Sequence, residues 1–144
     1  MNIKKLLMEK GTDVETVRPE TQVQAALQAM MARNIGLLVV CDGEQRIAGV
    51  FSERDLARAV AIHGGDVATQ SVKDIMTRDV AVCRMGDKME DVMDQMTRGR
   101  FRHMPVVEAG KLAGIVSSTD ILRYLSEHAT SADRAMILSK IAWA

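Results

Sequence analysis

Two stretches in separate halves of the chain share one pattern, and this duplication constrains the fold more than any other feature. The first runs from Gly49 to Asp55 and the second from Gly114 to Asp120. Each is an apolar run that ends in Gly-x-x-Ser-x-x-Asp, where x is any residue, and leads into a helical pattern. A serine followed three positions later by a carboxylate indicates a helix capping box. One copy predicts a helix start, whereas two copies indicate a repeated unit.

The elements around these stretches recur in the same order. Apolar residues at helical spacing predict a helix over residues 22–33, and the same spacing returns 66 positions later. The residues that carry it are Val23, Ala26, Leu27 and Met30, then Met89, Val92, Met93 and Met96. Apolar runs on either side of turn residues predict a hairpin in each half, over 35–40 with 46–51 and over 101–107 with 111–116. Short strands at 14–17 and 80–83 complete a β-α-β-β-α unit that occurs twice.

The predicted fold class is therefore α+β. A single unit of about 60 residues has a marginal core, so we expect the two repeats to pack through their sheets into one module with pseudo-twofold symmetry. The predicted segments are an N-terminal helix (1–13, stopped by Gly11), repeat 1 (14–70), repeat 2 (71–128, with a linker at 71–78) and a C-terminal helix (129–144). In that last helix an apolar pattern extends from Ala132 to Trp143 and includes Ala135, Met136, Ile137 and Ile141.

Composition and charge narrow the function classes. Lys and Arg together number 19, as do Asp and Glu, so the basic surface typical of nucleic-acid binding is not expected. No apolar run approaches the ~20 residues of a membrane span, and the N-terminal run is too short for a signal peptide, so we expect a cytoplasmic protein. Cys41 and Cys83 lie in apolar stretches without Cys-x-x-Cys spacing, which predicts buried, reduced thiols.

The duplicated unit resembles the cystathionine β-synthase (CBS) domain pair, from Val14 to Leu125. Besides the two Gly-x-x-Ser-x-x-Asp stretches, the family-like segments are Asn34-Ile35-Gly36, Ser52-Glu53-Arg54-Asp55, Asp74-Ile75-Met76-Thr77 and Arg102-His103-Met104-Pro105-Val106-Val107. The terminal helix and the Ser-Glu-Arg-Asp tetrad are similar to stand-alone bacterial members. The resemblance implies a homodimeric regulatory module without catalysis, involved in signal transduction such as energy sensing. It also implies an adenosine-containing ligand in the clefts between the halves: AMP, ADP, ATP, NAD(H) or S-adenosylmethionine.

Carried onto this sequence, the resemblance implies two clefts. The preferred one combines Ser117 and Asp120 with Arg102, His103 and Pro105, and takes Thr21 and Ala26 from the other repeat. The second combines Ser52, Arg54 and Asp55 with Ile35, Gly36 and Leu37, and takes Asp87 and Val92 from the other repeat. An unpaired helix N-terminus favours a phosphate, the two aspartates suit ribose hydroxyls, and Arg54 and Arg102 are the expected phosphate contacts.

The two clefts differ in charge. Asp87 stands where the other half has Thr21, and Gly36 stands where the other half has Arg102. An added carboxylate and a missing cation both disfavour a polyphosphate, so we expect the Ser117 cleft to take the phosphate ligand.

Several alternatives stay open from the residues themselves. Either Ser-x-x-Asp can be a plain capping box, and His103 can be a satisfied, partly buried imidazole. The three histidines form no obvious metal set, no nucleophile and base suggest covalent catalysis, and no catalytic cofactor is expected. An alternative function is direct contact with a partner enzyme, such as a redox protein, with vestigial ligand binding.

Overall fold

A computed structural model describes residues 1–128 and 130–141 of the chain. Within these ranges it contains seven α-helices, five strands and one 3-10 helix. In order they are α1 (Ile3–Lys10), β1 (Thr16–Val17), α2 (Val23–Arg33), β2 (Leu37–Cys41), β3 (Ile47–Ser52), α3 (Glu53–His63), the 3-10 helix (Gly64–Thr69), α4 (Val72–Ile75), α5 (Met89–Gly99), β4 (His103–Glu108), β5 (Lys111–Ser117), α6 (Ser118–His128) and α7 (Ser131–Ile141).

The chain divides into two compact units. The first unit is Val14–Val80, and the second unit is Met1–Asp13 together with the chain from Ala81 onward. Residues 71–80, predicted to lead into repeat 2, therefore pack within the first unit, and the N-terminal helix packs within the second.

The first unit is a three-stranded sheet with helices on it. β1 pairs in parallel with β2, and β2 pairs antiparallel with β3. Leu38 and Val40 lie on one face of β2, and Phe51 pairs with Leu38 from β3. These side chains form a core that α2 covers with Val23 and other apolar residues. Helix α2 ends because Asn34 adopts a left-handed conformation (φ 52°), which turns the chain into β2.

The second unit repeats this plan with a shorter sheet. β4 and β5 form the antiparallel hairpin, and Cys83 makes a single parallel bridge to Val106. That bridge corresponds to the pairing of Val17 with Val40 in the first unit. The predicted strand over 80–83 is therefore wrong in extent, because only Cys83 bonds to β4, through Pro105 O and Val107 N (3.0 and 2.8 Å).

Helices α4 and α1 occupy equivalent positions in their units. Each donates its first backbone N–H groups to the segment that precedes the long helix, α2 or α5. The pairs are Val72 N with Thr21 O and Lys73 N with Pro19 O (2.8 and 3.0 Å), and Ile3 N with Asp87 O and Lys4 N with Met85 O (both 2.9 Å). Each repeat is thus led by a helix that packs in the other unit, and we call α1 and α4 the leading helices.

Sequence patterns located most elements correctly. The helices over 22–33 and 89–99, both hairpins, and the α+β class with two tandem repeats are confirmed. The N-terminal helix buries Ile3, Leu6 and Leu7, as expected, and ends at Gly11. That the two sheets share one core stays a prediction.

Helix α7 differs from its predicted apolar face. Ile137 is buried in the core of the second unit, but Ala135 and Met136 are exposed. Trp143, at the end of the predicted pattern, lies outside the described residues. Val60 on α3 and Leu122 on α6 are 47% and 38% exposed. Among the described helices, none has the length and apolar character needed to cross a membrane.

Candidate functional site

The end of β5 assembles the main candidate site. Ser117 pairs with His103 in the β4–β5 register, and Ser118 N donates to Arg102 O at 2.9 Å. Ser117 and Asp120 form the predicted capping contacts, with Ser117 N to Asp120 Oδ2 at 2.9 Å and Asp120 N to Ser117 Oγ at 3.0 Å. The hairpin register therefore brings Arg102, His103, Ser117 and Asp120 to one edge, which we call the Ser117 edge.

Lys10, from leading helix α1, is a member of this edge that sequence reasoning missed. Its ammonium group donates to Asp120 Oδ2 and to Ile115 O, both at 2.6 Å. The two residues of the ion pair are 110 positions apart, so no local spacing could reveal the contact. The repeat offered a signal for this contact. Thr77, in the segment before repeat 2, belongs to a family-like motif, and Lys10 lies in the equivalent segment before repeat 1.

The electrostatics of the Ser117 edge follow from this ion pair. Burial acts to raise the pKa of Asp120, but hydrogen bonds from Lys10 and Ser117 outweigh it and hold the pKa below its ordinary value. The pKa of His103 is lowered, first by loss of part of its water shell and then by the charges of Lys10 and Arg102, while Asp120 acts in the opposite direction. Asp120 is thus an anion among basic groups.

One oxygen of Asp120 is open to a ligand. Oδ2 accepts from Ser117 N and Lys10 Nζ, whereas Arg123 NH1 lies 3.9 Å from Oδ1, beyond hydrogen-bond distance. Among the described residues no donor reaches Oδ1. The side chain of Asp120 is 14% exposed. Oδ1 can therefore accept a hydrogen bond from a hydroxyl group of a ligand.

Asp55, the equivalent residue of the first unit, is occupied by its own unit. Oδ2 accepts from Ser52 N and Ser52 Oγ at 2.9 and 3.1 Å, and Oδ1 accepts from Thr77 Oγ1 at 2.8 Å. Arg58 NH1 lies 3.5 Å from Oδ1, and the Asp55 side chain is only 3% exposed. Asp55 therefore fixes the start of α3 and ties β3 to the segment after α4. The capping box accounts for the contacts of Oδ2, and Thr77 accounts for the hydrogen bond of Oδ1.

The other residues predicted around Asp55 lie at the start of β2 and the start of α3. Gly36 O accepts from Glu53 N at 3.1 Å, and a side chain at Gly36 would contact the Glu53 carboxylate. Arg54 is exposed, while Ile35 and Leu37 are half-buried. Gly36, at the position of Arg102, thus lies beside an anion, which agrees with the expectation that this copy disfavours phosphate.

Five further predicted residues have structural roles within their own units. Ala26 and Val92 are fully buried on α2 and α5, and Pro105 is buried on β4. Asp87 accepts a hydrogen bond from Arg84 N at 2.8 Å and so stabilises a turn, and Thr21 O accepts from Val72 N. Ligand contact by these residues stays a prediction.

A group of potential metal ligands that sequence analysis did not predict lies on the surface of the second unit. Glu9, Glu127 and His128 offer ligand atoms within 4.8 Å of one another. His128 Nε2 lies 2.8 Å from Glu9 Oε1. All three residues are exposed, and the contact ties the end of α1 to the end of α6.

Both cysteines are buried and free, as predicted. Burial, reinforced by the nearby charge of Asp87, raises the pKa of the Cys83 thiol to about 12. Burial also raises the pKa of Cys41. Neither thiol is a reactive nucleophile in this environment.

Comparison with known proteins yields a consistent set of matches. The family model described as "CBS domain" matches residues 3–62 and 72–127. An uncharacterised 17.7 kDa protein of Acidianus ambivalens is 36% identical over 115 residues, which cover 79% of this chain and 68% of that protein. Other relatives are longer: the matched part covers 35% of arabinose 5-phosphate isomerase KdsD of Yersinia pestis, at 30% identity over 81% of this chain.

Solved structures that contain CBS domains also match this chain. The CBS-domain protein ATU1752 of Agrobacterium tumefaciens is 42% identical with a TM-score of 0.81, covering 85% of this chain and 98% of that one. The CBS domain pair of protein MJ0100, solved in complex with 5'-methylthioadenosine and S-adenosyl-L-methionine, has a TM-score of 0.76 at 23% identity and covers 88% of this chain and 97% of that one. At that identity the second likeness shows the fold alone.

Proposed function

Because this chain belongs to the CBS-domain family and contains two CBS repeats, we propose that it is a non-catalytic regulatory module that binds an adenosine-containing ligand. The Ser117 edge holds the ribose, with Asp120 as the acceptor of its hydroxyl groups. Ligand binding then shifts the population of module conformations that a second protein recognises.

The observation that supports this proposal is the inequality of the two aspartates. Asp55 has both oxygens occupied by its own unit, whereas Asp120 keeps Oδ1 open. Since a capping role needs only Oδ2, the open oxygen of Asp120 is left for a ligand. The basic surroundings of Asp120, which include Arg102, suit the phosphate of a nucleotide attached to that ribose.

The ligand candidates are AMP, ADP, ATP, NAD(H) and S-adenosylmethionine. The adenosyl ligands of MJ0100 support the chemical class, since that protein shares the fold. Thr21 and Ala26 stay the proposed contacts on the adenine side, and Pro105 stays a proposed contact beside Arg102 and His103. The Ser52 copy, with Arg54 exposed, is proposed as a weaker second site.

Isothermal titration calorimetry with AMP, ADP, ATP, NADH and S-adenosylmethionine tests the proposal. At a ligand concentration 100 times the dissociation constant, a ligand stabilises the fold by about 2.7 kcal/mol, which a thermal-shift measurement also detects. If none of the five ligands binds at millimolar concentration, the proposed function is wrong.

Asp120→Asn tests the assigned residue. A hydrogen bond to a charged group contributes about 1.5–3 kcal/mol, so we expect affinity for the bound ligand to fall by about tenfold to a hundredfold. Asp133→Asn is the matched control, because Thr130 and Asp133 form a capping box of the same kind at the start of α7 with no strand before it. Equal affinities in the two variants would reject the role of Asp120.

We propose in addition that the module forms a homodimer in the cytoplasm. Val60 and Ile62 on α3 are 47% and 67% exposed, an apolar pair that a second chain would cover. Native mass spectrometry of the purified protein checks both the oligomeric state and any retained ligand. The alternative, regulation of a partner enzyme by direct contact, predicts weak or vestigial ligand binding.

A further inference from the structure

Leading helix α1 adds a cation to the Ser117 edge that the equivalent helix does not add to its own unit. Lys10 Nζ donates at 2.6 Å to Asp120 Oδ2 and at 2.6 Å to Ile115 O. An ammonium group has three N–H donors, so two are used and one remains. The Lys10 side chain is 31% exposed, and its third donor is available to a group arriving from solvent.

In the first unit a hydroxyl group stands in the corresponding place. Thr77, which follows α4, donates Oγ1 to Asp55 Oδ1 at 2.8 Å, and Val50 O accepts from Thr77 N at 2.9 Å. Val50 corresponds to Ile115 in the repeat. The same two acceptors, an aspartate and a strand carbonyl, are therefore met by a neutral residue in one unit and by an ammonium ion in the other.

Charge accumulates around Asp120 as a result. Lys10, Arg102 and Arg123 contribute three positive charges near a single carboxylate, and the charges of Lys10 and Arg102 both reach His103, where they lower its pKa. In the first unit Arg58 lies 3.5 Å from Asp55, but the edge also carries a second carboxylate, since Glu53 lies beside Gly36. The surplus of positive charge is therefore greater at the Ser117 edge.

We propose that Lys10 determines the ligand class at this edge, selecting phosphorylated adenosine ligands over neutral and cationic ones. This inference rests on the proposed function, because it concerns the same edge. Lys10 neutralises Asp120, so that the carboxylate can hold a ribose without repelling the attached phosphate, and its third N–H donates to a phosphate oxygen. The same charge repels the sulfonium centre of S-adenosylmethionine.

Calorimetric titrations with AMP and with adenosine measure this selectivity, since the two ligands differ only by the phosphate. We expect the wild-type protein to prefer AMP, and Lys10→Met to reduce the ratio of AMP to adenosine affinity by about tenfold, as expected for loss of one hydrogen bond to a charged group. Lys10→Arg keeps the charge and retains most of the preference. Lys4→Met, an exposed lysine on the same helix, leaves the ratio unchanged.

An unchanged ratio in a Lys10→Met protein that still binds both ligands overturns the inference and leaves the proposed function intact. Tighter binding of S-adenosylmethionine than of AMP by the wild-type protein also overturns the inference and leaves the proposed function intact. Binding of S-adenosylmethionine without AMP, ADP, ATP or NADH also overturns the inference alone, whereas binding of none of the five ligands makes both proposals wrong. A ligand-free measurement guards against misfolding: the pKa of His103, followed by NMR, should rise in Lys10→Met and not in Lys4→Met, and a constant value contradicts the proposed charge effect.

Discussion

Gly49 and Gly114 open the two Gly-x-x-Ser-x-x-Asp stretches and offer a matched pair of alanine substitutions. In the first unit, a Cβ atom at Gly49 would lie 2.5 Å from Thr77 O and 2.9 Å from Met76 Sδ. In the second unit, a Cβ atom at Gly114 would lie 2.9 Å from Leu7 Cδ1. Gly49 lets the segment that follows α4 approach the strand closely, and Gly114 does the same for α1, but one neighbour is backbone and the other is the end of a flexible side chain.

The expected free energies of unfolding differ accordingly. Gly49→Ala forces the Thr77 carbonyl away, and this group belongs to a pair of 2.9 Å hydrogen bonds with Val50. Overpacking costs about 2 kcal/mol and the weakened hydrogen bond about 1 kcal/mol, against a gain of about 0.5–1 kcal/mol from replacing a strand glycine. We expect Gly49→Ala to lose about 2 kcal/mol. For Gly114→Ala, rotation of Leu7 relieves the contact, so the change should be within about 1 kcal/mol of zero.

Urea unfolding followed by far-UV circular dichroism measures both changes, and for a chain of this size about 2 kcal/mol corresponds to a shift in Tm of roughly 4–10 °C. Equal losses in the two variants, or a greater loss in Gly114→Ala, would refute the reasoning. Such a result would mean that the Leu7 side chain moves aside no more easily than the Thr77 backbone does.

Four further outcomes are expected. Asp55→Ala should destabilise the protein by about 2–4 kcal/mol in urea unfolding, because it removes a helix cap and leaves buried donors unpaired; a loss below about 1 kcal/mol would contradict its structural role. Arg100→Asn should stabilise the protein by about 0.5–1 kcal/mol, visible as a higher Tm, because Arg100 ends α5 in a left-handed conformation (φ 57°) that asparagine adopts more readily. The pKa of His103 should fall in Asp120→Asn, since the aspartate raises it, and an NMR titration showing a rise would refute this. Cys83 should resist a thiol reagent at pH 8 until the protein is unfolded, because its pKa of about 12 keeps it protonated.

Periodicity predicted the elements whose apolar faces are complete. Helix α5 has Met89, Val92, Met93 and Met96 on one face, all buried, and the sequence pattern was sufficient to place it. In the described part of helix α7 only Ile137 is buried, so its apolar residues wrongly predicted a continuous buried face. The strand at 80–83 failed for a different reason. β-branched residues favour a strand, but only Cys83 finds a hydrogen-bonding partner on β4.

The candidate site was predictable in its local parts. Ser117, Asp120, Arg102 and His103 lie on one hairpin and the helix after it, so the repeat placed them together correctly. The sequence could not predict that Asp55 has both oxygens hydrogen-bonded while Asp120 has one, because the donors Thr77 and Lys10 come from segments distant in sequence. Capping geometry is set over three residues, whereas the contact from Lys10 spans 110 positions and arises only on folding.

Because each leading helix packs in the other unit, the chain cannot be cut between the two repeats without removing a helix from a core. A fragment ending at Val80 would contain the whole first unit and an orphaned α1, with Ile3, Leu6 and Leu7 deprived of the core that buries them. The remaining fragment would lack a helix of its hydrophobic interior. A lone repeat could complete such a unit only by exchanging its leading helix with a second copy of itself.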